Sequence, residues 1–61
     1  MRRLLVIRKD TNRVIWEDDE ISGETLNKAG DLITYKDLLI DRTETSYTGD
    51  RIIWVKPKEE R

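Results

Sequence analysis

The sequence predicts a mainly β fold: a small antiparallel domain of four or five strands in two hairpins, with one short helical segment between them. Three observations carry this reading. The apolar runs are short and rich in Leu, Ile and Val. Two stretches nearly match, Arg13-Val14-Ile15-Trp16 and Arg51-Ile52-Ile53-Trp54. Each follows a turn signal, Asp10-Thr11-Asn12 and Thr48-Gly49-Asp50.

Leu4-Leu5-Val6-Ile7 is a continuous apolar run flanked by charge, too short for a helix of ordinary length, and predicts a strand over 3–9. Asp10-Thr11-Asn12 then supplies a tight turn, because Asp can bond the backbone two residues on and Asn tolerates the left-handed conformation. Arg13 to Asp18 returns as the second strand. Strict alternation there puts Val14 and Trp16 on one face and Arg13, Ile15 and Glu17 on the other, and the Trp face is the expected core side.

Ser22 is placed to cap a two-turn helix over 23–29, with Ile21 and Leu26 at the positions of a hydrophobic staple and Gly30 placed to stop it. A helix that short would persist only by packing Leu26 and Ala29 onto the sheet. Two readings compete over 32–40. Thr34-Tyr35-Lys36-Asp37 has capping-box spacing, which would start a helical turn at Tyr35. Alternatively Leu38-Leu39-Ile40 matches Leu4-Leu5-Val6 and leads, like it, to an Arg-(Val/Ile)-Ile-Trp strand, which would make the two hairpins structural repeats.

In the second hairpin Thr43, Thr45 and Tyr47 alternate on one face, and Gly49 supplies the positive φ of the turn. Pro57 cannot donate to a ladder and marks the end of the last strand, leaving 58–61 as a frayed tail. The whole of 1–61 reads as a single domain, either a compact sheet or an SH3-like barrel.

A chain of 61 residues buries only about 60% of its unfolded surface, so its stability is expected to be marginal. With neither cysteine nor histidine, disulfides and the usual structural zinc sites are excluded, and idealised packing or self-association has to compensate. Charged residues make up 41% of the chain at a net charge of −1, which argues against a general nucleic-acid or membrane-surface binder. No apolar run approaches the ~20 residues of a membrane span, and no signal-peptide pattern is present. A soluble cytoplasmic protein is expected.

Chemistry is sparse. Glu17-Asp18-Asp19-Glu20 is a dense acidic run but lacks the alternating ligands and central glycine of a calcium loop, so it reads as a solvated strand end and no metal is expected. Gly23, Gly30 and Gly49 are too scattered to cradle phosphate, and histidine-based triads are impossible. No catalytic residue, enzyme activity or small-molecule cofactor is therefore expected.

Two binding surfaces remain. On the non-Trp face of the returning strands, Arg13, Ile15, Arg51, Ile53 and Val55 would form an apolar centre rimmed by arginine, suited to another protein or a second copy of the chain. This requires that neither the helix nor the 32–40 segment covers that face. The alternative is a nucleic-acid-binding β module using Arg8, Lys9, Arg13, Arg51 and Lys56, with a Trp or Tyr for base stacking. Burial of both Trp side chains would disfavour it.

Overall fold

The computed structural model describes residues 2–58. They form β1 (Leu4–Arg8), β2 (Arg13–Asp18), α1 (Gly23–Tyr35), β3 (Leu38–Thr45) and β4 (Arg51–Pro57). The fold is mainly β, as the sequence predicts, with both hairpins present and antiparallel. The two hairpins join through a parallel pairing of β1 with β4, so the sheet is mixed, with the order β2-β1-β4-β3. β2 and β3 are its edges.

The turns follow the local chemistry. Asn12 takes φ 58 and its N–H donates to the Arg8 carbonyl at 2.7 Å, while Gly49 takes φ 94 at the second turn. Arg8 grips Asp10 across the first turn with two contacts, Nε to Oδ1 at 3.0 Å and Nη2 to Oδ2 at 2.8 Å. This pair holds the Asp10 carboxyl below its ordinary pKa, chiefly through the hydrogen bond from Arg8, and raises that of Arg8.

Ser22 caps α1 as expected. The Thr25 N–H donates to Ser22 Oγ at 3.2 Å, and the Ser22 N–H donates to Thr25 Oγ1 at 2.8 Å. The helix runs past Gly30, however, and ends at Tyr35, with Lys36 as its C-cap. A Cβ at Gly30 would meet nothing within 4 Å, so this glycine sits on the open side of α1. Thr25, Ala29 and Ile33 recur every four residues as a buried stripe that carries the helix onto the sheet. Packing along that stripe outweighs the cost of a mid-helix glycine, about 1 kcal/mol.

Thr34-Tyr35-Lys36-Asp37 therefore closes this helix and does not begin a second one. The Lys36 N–H reaches the Leu32 carbonyl at 2.9 Å, and Asp37 takes φ 58 to redirect the chain into β3. β4 includes Pro57, and the Lys58 N–H donates to the Asp37 carbonyl at 3.2 Å. The rest of the expected tail, 59–61, lies outside the described residues.

The core lies between α1 and one face of the sheet. Leu4, Val6, Ile53 and Val55 come from the two central strands, and they meet Ala29 and Ile33 of the helix and Leu38 of β3. Ile15, Trp16, Ile21 and Leu26 pack around the edge of this cluster. The expected contact face is thus the covered one: Val55 is 0% and Ile53 7% exposed.

Candidate functional site

The helix covers one side of the sheet, and strand alternation sends the remaining side chains to the other. On β1 and β4 these are Leu5 and Ile7, register partners of Ile52 and Trp54, all half-buried. Val14, opposite Ile7 on β2, joins them at 50% exposure, and Leu39 of β3 does so at 42%. This open face has an apolar centre that no other part of the described chain covers.

Two bulges shape it. The β1–β2 register shifts between Val6 and Ile7, pairing Val6 with Trp16 but Ile7 with Val14 and leaving Ile15 without a partner. An extra residue of this kind resets the alternation. Val14 consequently points outward while Ile15 and Trp16 both pack against the core, and the expected common face of Val14 and Trp16 is not formed. In β3 the shift falls between Ile40 and Arg42, leaving Asp41 as the extra residue. Asp41 receives Lys9 Nζ at 3.5 Å and Lys56 Nζ at 3.8 Å.

Trp54, expected inside, stands at the centre of the open face. Its indole N–H donates to Glu44 Oε1 at 2.6 Å, and the Arg42 guanidinium lies 5.6 Å from the ring centroid. Beside it a shallow depression of about 320 Å³ is lined by Lys9, Asn12, Asp41, Arg42 and Trp54.

Charge is divided along the strands. Lys9, Lys56 and Arg42 gather around Asp41 at the end where β1 and β4 finish. At the opposite end Glu17 is paired in register with Leu5 and Glu44 with Ile52. Arg3 lies there too, 4.0 Å from Glu17 and 3.7 Å from Asp19. Among these open-face side chains, one end thus carries three cations and one carboxylate and the other three carboxylates and one cation, with Arg8, Asp10 and Arg13 at the first end and Asp50 and Arg51 at the second outside this count.

The residues expected to bind a partner do not form one accessible surface. Ile53 and Val55 are interior and Ile15 packs against the core, while Arg13 and Arg51 are exposed at opposite ends of the strands. The covering element is α1, whose extra turns past Gly30 bring Ile33 into the core. The five basic residues of the nucleic-acid alternative also divide. Lys9 and Lys56 converge on Asp41, Arg8 is engaged with Asp10 beside Arg13, and Arg51 lies at the far end.

Sequence reasoning misses Leu5, Ile7, Ile52, Arg42 and Glu44 as contact residues, and it reads Trp54 as a core residue. The pairing of Leu5 and Ile7 on alternate positions of β1 was visible, but only the parallel β1–β4 pairing places them beside Ile52 and Trp54. Among the described residues no three Asp or Glu side chains converge as metal ligands, and no helix is long and apolar enough to cross a membrane. Comparison with protein-family models, curated proteins and solved structures finds no match.

Proposed function

We propose that this chain is a non-catalytic interaction module that binds another protein through the open face of its sheet. The supporting observation is the placement of Leu5, Ile7, Ile52 and Trp54 on the side away from α1, with Arg42, Glu44, Lys9 and Lys56 around them. An apolar centre containing a Trp within a charged rim has the anatomy of a protein contact.

The test is site-specific photo-crosslinking. A crosslinking amino acid at Leu39, on the open face, should trap a defined protein that is identified by mass, whereas the same group at Asp31 on the helix should not. Adding Ile52→Glu should abolish the product from position 39. Equal trapping from both positions, or trapping indifferent to Ile52→Glu, contradicts the reading.

One observation favours a second reading. Trp54 is on the open face beside Lys9 and Arg42, with Lys56 paired to the neighbouring Asp41, which is the combination of ring and cations that single-stranded nucleic acid uses. Glu44 on the indole and Asp41 between the lysines oppose it. Quenching of Trp fluorescence by short oligonucleotides, lost steeply with added salt, would support this second reading. Absence of quenching at low salt removes it.

A further inference from the structure

We propose that the occupant of the open face is a second copy of this chain, with the two sheets stacked so that facing strands run in opposite directions. This rests on the reading of that face as a protein contact surface.

The argument is its charge pattern. A two-fold axis lying between two such faces and perpendicular to the strands sets the Lys9, Lys56 and Arg42 end of each copy over the Glu17, Glu44 and Asp19 end of the other. Asp41 offsets one cation and Arg3 one carboxylate, and on the open face an excess of opposite sign remains at each end. An isologous interface needs this self-complementarity, since each contact is made twice with the roles exchanged. A two-fold axis along the strands would set like ends together and is opposed by the same charges. The apolar centre, Leu5, Ile7, Ile52 and Trp54, meets its own copy in the first arrangement.

Size points the same way. Among the described residues the buried core has seven hydrophobic side chains, a small number for a chain with no cysteine to form a disulfide. Pairing covers the apolar centre of the open face, which no other part of the described chain covers. Four strands about 4.8 Å apart and about five residues long at ~3.3 Å each give a face of roughly 20 by 17 Å. That is about 340 Å² per copy, below the ~1,000 Å² in total of a stable interface, so the dimer is expected to be weak and reversible, with a Kd on the order of 10–100 µM.

Sedimentation velocity tests it. Wild type should pass from monomer to dimer between about 1 µM and about 1 mM at low salt, and raising the salt toward ~0.5 M should weaken the dimer by roughly tenfold. Glu17→Lys with Glu44→Lys makes both ends basic, and Lys9→Glu with Lys56→Glu makes both acidic. Each double variant alone should remain monomeric, and an equimolar mixture should dimerise again, which also shows that both are folded.

A wild-type monomer throughout that range overturns the proposal, as does a dimer that tightens with salt. So does a mixture that stays monomeric while circular dichroism shows both variants folded. Should the crosslink from Leu39 to a different protein persist in a chain that stays monomeric, self-pairing falls and the contact surface stands. If neither is seen, both fall.

Discussion

Trp16 and Trp54 end matching tetrapeptides yet lie on opposite sides of one sheet. Trp16 packs against the edge of the core, and Trp54 hydrogen bonds Glu44 on the open face. The bulge at Ile15 turns Trp16 inward, whereas β4 pairs with β1 without a register shift through Trp54. The two hairpins are therefore not placed as equivalent repeats, since the Leu-Leu strand is interior in the first and at the edge in the second. What the sequence offers as a duplicated core residue becomes one core residue and one surface residue.

Neighbouring isoleucines on β4 should respond very differently to truncation. Ile53 is buried beneath the helix, so Ile53→Ala should cost about 2–4 kcal/mol in urea denaturation. Ile52 is half-buried on the open face, and Ile52→Ala should cost about 1 kcal/mol or less in the monomer. Equal losses would refute the face assignment.

The reciprocal cap at Ser22 and Thr25 gives a second expectation. Ser22→Ala leaves the first turn of α1 without its acceptor and should destabilise the domain by about 1 kcal/mol. Because α1 covers the core, the loss should appear as a lower midpoint of the single cooperative transition with an unchanged slope.

Gly49 has positive φ, and a Cβ there would come within 2.9 Å of the Arg2 side chain. Gly49→Ala should lower stability by about 1 kcal/mol or more, since alanine disfavours that backbone conformation whatever space Arg2 yields. Thermal denaturation beside an Arg2→Ala, Gly49→Ala double variant separates the steric part from the backbone part.

Acid should release the Arg8–Asp10 pair. The Asp10 carboxyl has a lowered pKa in the folded state, so its contribution is present above the unfolded value of about 4 and disappears as pH falls through the folded value. Asp10→Asn should therefore be less stable than wild type at neutral pH, with the difference fading in strong acid. The pair is exposed and screened by salt, so the difference should be small and shrink further at high ionic strength.

Features that depend on neighbours in sequence were legible in advance. The turn at Asn12, the glycine at 49, the Ser22 cap and both hairpins follow from local chemistry. The bulges at Ile15 and Asp41 were not legible, because an extra residue leaves no distinctive composition yet reverses every side chain beyond it. Strand order was equally hidden: nothing local distinguishes a parallel β1–β4 pairing from two hairpins side by side. Alternation around Trp54 correctly grouped it with Ile52 and apart from Ile53 and Val55. It did not reveal which group the helix covers, and that decided where the contact surface lies.

The most direct test reads Trp54 itself. In a Trp16→Phe variant, folded by circular dichroism, Trp54 is the remaining indole, and its emission and acrylamide quenching can be followed as protein concentration rises from about 1 µM to about 1 mM at low salt. Pairing through the open face predicts a blue shift and a loss of quencher access, both abolished by Ile52→Glu. Emission and quenching that stay constant across the range, or that change just as much with Ile52→Glu present, would contradict it.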